Sequence, residues 1–527
     1  MNKPVASSTN ALLQASRPRT FPLAIASILC SNGLALSQLA LSSSINGHNI
    51  VVFALTLWVA LALQILSPIA VKPPTSGHRY LHNLKRAKKN DRIFQYGIDK
   101  MELDTRLIKR YQQLVHNHTH PNGYLHAGMK ATMDTKSSFA QTQALWRFVH
   151  NDNISYQELS KPLLENSLQG CREDCKRYGL VMHDWSRLSL THHNKQDTYA
   201  MTHNLDVGYE LQSSVLVSDI NGRPIATPAQ NLVTANGVHS SYQDTPAKQT
   251  HLNELTTRIE YLEQQGFDKP LIHIIDREAD SAYHMRQWDE HDYKFITRVK
   301  AGSYLSYEGK SQRCSQIAGQ LNFSYQRQVN YKGKAAKQYI ATAKVVLTRS
   351  AKPQAIDPAT GKRIAPIKGK PLSLLLTVSR IYDDQDKRLA TWYLLSNLQE
   401  TSVKGADISQ WYYWRWQIES YFKLLKSAGL QLESWLQQSG DAYFKRLLIA
   451  SQACTLVWRI MQASDKQSQE FALFLVRLSG RQMKRSKPIA APAVMAGLLQ
   501  WLNFTELVNH YPPDKLREFA DAASKFV

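Results

Sequence analysis

Apolar and polar positions change texture several times along the chain, and each change predicts a different kind of element. Two apolar runs come first, at about 21–41 and 50–71, each close to the ~20 residues that a membrane-spanning helix needs. Together they predict an apolar helical hairpin over 1–71. Ser27, Ser31, Asn32, Ser37 and Gln38 dilute the first run, which leaves a soluble or surface-lying segment open. Pro73, Pro74 and Gly77, then a basic tract without apolar periodicity, mark 72–100 as a linker. Over 101–170 the spacing is helical, broken by His116-Asn-His-Thr-His-Pro-Asn-Gly123. Within it, QTQALWRFVHNDNISYQELSKPLLE reads as two helices around a turn at Asn151-Asp152-Asn153.

The texture then changes to strands. A short strand at 180–182 leads to Asp184, and strands at 209–218 and 223–232 flank the turn Asp219-Ile-Asn-Gly222, a strong hairpin signal. A crossover helix is expected over 245–265, followed by a buried strand, Pro270-Leu-Ile-His-Ile-Ile275, that ends at Asp276. Another helix and a strand at 293–299 come next. About 301–400 is rich in β-branched residues and turn signals, as an inserted β region would be. The last part, 441–527, is mostly helical in pattern.

Between the β region and this tail lies WYYWRWQIESYFKLLK, residues 411–426. Placed on one α-helix, it separates into two faces. Tyr412, Arg415, Glu419, Lys423 and Lys426 share a narrow polar stripe, while Trp414, Ile418, Tyr421, Leu424 and Leu425 spread over the opposite, core-facing side. A stripe of this kind is most often a solvated face laced with ion pairs. A lone carboxylate among cations also suits an acid that binds a metal while its neighbours grip phosphates.

Composition narrows the partners. Lys+Arg 64 against Asp+Glu 42 gives a net charge of +22, which favours a polyanion: nucleic acid first, an anionic membrane second. The five cysteines are odd in number and scattered, which argues against a disulfide framework and for a reducing cytoplasm. Cys171 and Cys175 form a C-x3-C without a second pair at zinc spacing. The 101–170 helices would suit a DNA-binding unit or a plain spacer, and the histidine cluster a metal or a loop.

Strand, hairpin, helix, strand, helix, strand is the order of a ribonuclease-H-like α/β core. In such a sheet, chemistry gathers at the carboxyl ends of neighbouring strands. Asp184, Asp276 and Glu419 converging there would repel one another unless divalent cations bound among them. Two such ions about 4 Å apart can activate a water and stabilise the leaving oxygen of a phosphodiester. Mg2+ suits that role through its preference for oxygen ligands, with Mn2+ as a substitute.

These residues resemble the DDE transposases of the insertion-sequence-four family. Asp276-Arg277-Glu278-Ala279-Asp280 and Phe295-Ile296-Thr297-Arg298-Val299-Lys300 look like the region of its second aspartate. Tyr412, Arg415, Glu419 and Lys426 match its Tyr-x2-Arg-x3-Glu-x6-Lys signature without a gap. Asp184 in HDWSRLSL sits where its first aspartate does, although Trp185 stands where relatives carry a small hydroxyl residue, which keeps Asp197 in play. The resemblance implies that Asp184, Asp276 and Glu419 are catalytic metal ligands, and that Tyr412, Arg415, Lys423, Lys426, Arg298 and Lys300 contact DNA. It further implies cut-and-paste transposition through hairpin and strand-transfer steps, and a homodimer on double-stranded transposon ends and target DNA. The catalytic domain would then span 171–440, after a helical DNA-binding domain at 101–170 and before dimerising helices from 441 on, beginning with FKRLLIASQACTLVWRIMQ.

The front of the chain resembles something else. ASRPRTFPLAIASILCSNGLAL and LALQILS are similar to the N-terminus of 1,4-dihydroxy-2-naphthoate prenyltransferases, but the acidic metal-diphosphate motif of that family does not follow. Residues 1 to about 75 therefore read as a fused fragment. Arg17, Arg19 and the tract Lys85, Arg86, Lys88, Lys89 flank the apolar runs, an arrangement that keeps both ends in the cytoplasm. If both runs insert, residues 21–71 would contact a membrane and tether an otherwise cytoplasmic, nucleoid-associated protein to the inner membrane. A non-catalytic DNA-binding regulator and a prenyltransferase fragment remain the alternatives.

Overall fold

The computed structural model describes residues 97–118, 143–190, 197–244, 246–351, 364–398, 403–426, 429–481 and 489–524. The expected apolar hairpin at 1–71, most of the linker, and residues 119–123 of the histidine cluster lie outside the described residues. The chain divides into two compact units, 88–503 and a second made of 1–87 with 504–527.

In the first unit, α1 (Thr105–His118), helical residues 143–149 and α2 (Tyr156–Asp174) lead in. The expected turn falls at 150–154, and Ser155 caps α2 by accepting the Glu158 N–H. The central strands and helices follow as β1 (Gly179–Ser189), β2 (Tyr199–Ala200), β3 (Val207–Ser218), β4 (Pro224–Val233), β5 (Val238–Ser240), α3 (His251–Glu263), β6 (Leu271–Ile275), α4 (Ala282–Glu290) and β7 (Lys294–Val299). The expected β region consists of β8 (Tyr304–Tyr307), β9 (Lys310–Arg313), α5 (Cys314–Gln320), β10 (Ser324–Tyr331), β11 (Lys334–Leu347), β12 (Leu372–Tyr382) and β13 (Arg388–Ser396). Helices α6 (Gly405–Tyr413), α7 (Trp416–Leu425), α8 (Gly440–Gln462), α9 (Lys466–Leu478) and α10 (Ala491–His510) complete it.

All described strands join one mixed sheet, in the order β5-β4-β3-β1-β6-β7-β13-β12-β11-β8-β9, with β2 beside β3 and β10 beside β11. Strands β1, β6 and β7 run parallel, and β3 and β4 turn back antiparallel on one side. On the other side β13 pairs antiparallel with β7, so the β region extends the sheet instead of forming a separate body. The fold is thus mixed α/β, with helices on both faces.

Strand alternation sends neighbouring residues to opposite cores. Met182 and Ile274 join the cluster that contains α7 and α8, while Ile275 joins the one beneath α3 and α4. Helix α8 is buried from Gly440 to Trp458, packed on β4, α1 and α2. Each Leu or Phe so enclosed contributes about 1.5–3 kcal/mol. The helix read from sequence as the start of a dimerising region therefore forms part of the chain's own core.

A buried polar chain aligns the strands that matter most. His183 on β1 bonds Ser214 on β3 at 2.9 Å and His273 on β6 at 2.9 Å, and His273 reaches Glu263 on α3 at 2.9 Å. Burial pushes the His183 pKa well down, so the ring sits neutral between its partners. In the second unit, α11 (Pro513–Ser524) has no buried residue.

Candidate active site

Strands β1 and β6 stay paired only as far as Met182 and Ile274. Asp184 and Asp276 each stand two residues further on and share the face of those two core residues. Asp276 ends its strand and caps a short turn, its Oδ1 accepting the Glu278 N–H at 2.8 Å. Asp184 differs from the expectation of a strand end: β1 runs on to Ser189 because β3 keeps pairing along its other edge. Asp184 therefore projects from the middle of a rigid strand at the point where the parallel pairing stops.

The third element departs more from its sequence reading. Residues 411–426 form two helices instead of one. The backbone N–H groups of Arg415, Gln417 and Ile418 bond to Tyr412, Trp414 and Arg415 three residues back, a tighter turn than an α-helix makes. Helix α7 then crosses β1 and β3, with Ile418, Tyr421, Leu424 and Leu425 buried as expected. Glu419 faces the two aspartates.

Arg415, at the joint, ties the site together. Its Nη1 donates to Asp184 Oδ2 at 2.8 Å, and its Nη2 donates to Glu419 Oε1. Burial raises the pKa of both Asp184 and Glu419, and Arg415 opposes that rise. Burial also works against the charge on Arg415, but Tyr412, Asp184, Glu419 and Asp276 together outweigh it and hold its pKa above the ordinary value. The charge of Asp276 acts on both other acids, so the three carboxylates share one neighbourhood. Among the described residues, no three His, Cys, Asp or Glu side chains stand close enough to hold a metal ion. The donor set itself, three carboxylates gathered around a cation, is the all-oxygen chemistry that hard divalent ions prefer.

The remaining predicted contacts divide. Tyr412 is only 4% exposed, packs edge-on to Trp392 at 5.6 Å and hydrogen-bonds Arg298. It is thus a core residue with a polar tip, where the helical wheel had it on an open stripe. Lys423 and Lys300 are exposed. Lys426 donates to the Arg187 carbonyl and pairs with Glu433 at 3.3 Å, which fastens the end of α7 to β1. Asp197 stands apart from the other acids: it is buried, accepts from the Tyr209 hydroxyl, and takes the Gly440 N–H at 2.7 Å at the start of α8. His118, the described member of the histidine cluster, is buried between Leu114 O at 2.7 Å and Arg446 Nε at 3.1 Å.

Sequence reasoning missed a second layer on the other face of the sheet. Trp185 lies over the His251 ring with centroids 4.4 Å apart. His251 bonds Glu278 at 2.9 Å and Glu210 at 3.0 Å, and these bonds raise its pKa to about 10. The departure at Trp185 thus has a packing partner. No spacing pattern links residues 185, 210, 251 and 278; only the sheet register brings them together.

Comparison with known proteins agrees with the acids' order in the chain. Residues 229–457 match the family described as Transposase DDE domain, a span that includes Asp276, Arg415 and Glu419 but begins after Asp184. No curated protein matches the chain. A cryo-EM structure of a piggyBac transposase synaptic complex with hairpin DNA aligns over 80% of this chain and 76% of that one. Its identity is 11% and its TM-score 0.34, a likeness too loose to carry an argument. The family match carries the conclusion that this protein is a DNA transposase, an enzyme with nuclease and strand-transferase activity.

Proposed function

We propose that Asp184, Asp276 and Glu419 are the catalytic acids and that they hold divalent metal, Mg2+ with Mn2+ as a substitute. The observation that carries this reading is the Arg415 guanidinium bonded to Asp184 and Glu419 at once, with the charge of Asp276 acting on all three. Two cations bound there would activate the attacking oxygen and stabilise the leaving one. For that to happen Arg415 must release its carboxylates, and a DNA phosphate offers its fork an equivalent bidentate partner. Exposed Lys423 and Lys300 are placed to hold the backbone on either side, with Arg298 and Tyr412 behind them. Lys426 would have to leave Glu433 to join them.

The central strand order, β4-β3-β1-β6-β7, supports a ribonuclease-H-like core, and the uninterrupted signature from Tyr412 to Lys426 supports membership of the insertion-sequence-four family. Cut-and-paste transposition by a homodimer, 101–170 as a DNA-binding domain, and a cytoplasmic, nucleoid-associated location follow from that membership. With α8 enclosed, dimer contacts would fall to the later helices. Among the described residues no helix is long and apolar enough to cross a membrane; a tether would rest on residues 21–71.

Glu419→Ala should leave DNA binding in place and abolish Mg2+-dependent nicking of DNA carrying the repeats that flank the coding sequence. Unchanged nicking would sink the assignment. The Arg415 closure also suits a DNA-binding regulator whose acids never open; wild-type protein that binds those repeats but never nicks them would favour that reading.

A further inference from the structure

On the face of the sheet opposite the acids, a cavity of about 200 Å³ opens between β4, β5 and the start of α3. It is too large for a bare ion and of a size to admit one heterocyclic ring system. Two buried side chains form part of its wall and leave polar atoms unpaired. Asn231, 1% exposed, turns its Nδ2 toward Glu254 Oε1 at 2.8 Å and the Tyr242 hydroxyl at 2.9 Å. That contact with a carboxylate fixes the amide's orientation and leaves its Oδ1 without a donor. Glu254, 8% exposed, accepts at Oε1 from Asn231 and Tyr242, while its Oε2 accepts no hydrogen bond, although the Arg258 guanidinium stands 3.2 Å away. A buried acceptor without a donor costs about 1–3 kcal/mol, so a ligand that supplies N–H groups is strongly favoured.

Charge narrows the ligand further. Glu254 is balanced by Arg258 and Glu210 by His251. Lys248, over the Tyr199 ring at 4.5 Å, is then left as excess positive charge at the mouth. A metal ion would meet no net negative charge. A neutral ring bearing an amino group, with a phosphate outside, meets donors with acceptors and anion with cation. Tyr199, Tyr242, Val233 and Val238 supply flat apolar walls.

We propose that this cavity binds a nucleotide whose base carries an exocyclic amine, with the base against Asn231 and Glu254 and the phosphate at Lys248. Thymine is the poor fit, because its single N–H lies between two carbonyl oxygens that would face the protein's own acceptors. Where the nucleotide comes from rests on the DNA reading above. His251 borders the cavity and bonds Glu278, whose N–H caps Asp276. A DNA strand rounding the end of the sheet could therefore present an unpaired base here, and a free nucleotide would offer the same chemistry.

The test uses the full chain and deoxynucleoside monophosphates, with saturation-transfer NMR and calorimetry as readouts. dGMP, dAMP or dCMP should bind at least about tenfold more tightly than TMP, the discrimination that one unpaired acceptor supplies. Ala247→Trp, at the exposed rim, should abolish that binding without touching the buried groups. Equal affinity for all four nucleotides, no binding of any, or full binding by Ala247→Trp would each overturn the proposal. Oligo-dT carrying a single guanine, bound more tightly than oligo-dT alone by wild type but not by Ala247→Trp, assigns the site to DNA. A preference seen only with mononucleotides assigns it to free nucleotide. Glu419→Ala should keep the nucleotide preference whatever it does to nicking, so the acids and the cavity are judged separately.

Discussion

Replacing Gly222 with alanine tests how far the hairpin turn supports the site. Gly222 has φ +70, and a Cβ built on it would meet the Trp414 ring at 2.4 Å. Two costs add. The left-handed backbone alone disfavours a side chain by about 1–2 kcal/mol, and forcing a methyl into a packed ring costs about 1–3 kcal/mol more. Gly266 separates them, because it has the same φ, +70, with nothing within 4 Å of the added carbon. Gly266→Ala should therefore lose about 1–2 kcal/mol and Gly222→Ala about 2–5 kcal/mol, read from urea unfolding followed by tryptophan fluorescence. Trp414→Leu in the Gly222→Ala background should recover the steric part. Trp414 directly precedes Arg415, so a displaced ring should also lower nicking by more than the loss of folded protein accounts for. If the two glycine variants agree within about 0.5 kcal/mol, the ring yields freely and the turn does not brace the joint.

Asp197→Asn should cost about 1–3 kcal/mol through the Tyr209 and Gly440 bonds yet keep nicking per folded molecule; loss of nicking at unchanged stability would move the first acid to 197. His118 is held at about 3, chiefly by burial, below its unfolded value of about 6.5. The unfolded chain therefore binds the extra proton, so this contribution is intact above pH 6.5 and is lost as pH falls from 6.5 toward 3. His118→Gln should flatten that part of a stability-against-pH curve, and an unchanged slope would refute the burial argument. Trp185→Ser should lose the stacking on His251, about 1 kcal/mol, with nicking retained in what folds; complete loss of nicking would make Trp185 part of the chemistry.

The strands of the core could be read from sequence because each is a short apolar run closed by a turn signal. Pro270 to Ile275 became Leu271–Ile275, and the turn at Asp219 became a hairpin in which the Asp219 carboxylate also caps the N–H groups of Lys176, Arg177 and Tyr178. The fate of the β region could not be read, because its strands carry no mark of which edge they will join. Alternation alone would equally suit a separate body, and only the pairing of β13 with β7 makes it an extension of the sheet. The layer of Trp185, Glu210, His251 and Glu278 was hidden for the same reason. Its members come from two strands, a helix start and a turn, and meet through register.

The stretch at 411–426 combines both cases. Its apolar back is correctly read from helical spacing, since Ile418, Tyr421, Leu424 and Leu425 are all buried. Its polar stripe is not one surface, because the chain tightens at Arg415 and starts a second helix at Trp416. A single straight helix would have carried Tyr412 and Glu419 on the same open face. The joint instead lets Tyr412 sink against Trp392 while Arg415 and Glu419 keep their four-residue spacing and their ion pair. Arg415 thus comes from the turn, where the backbone can adjust at little cost, whereas Asp184 and Asp276 come from the rigid sheet. A group that must trade carboxylates for phosphate belongs on the element that can move, and the acids that must stay in register belong on the one that cannot.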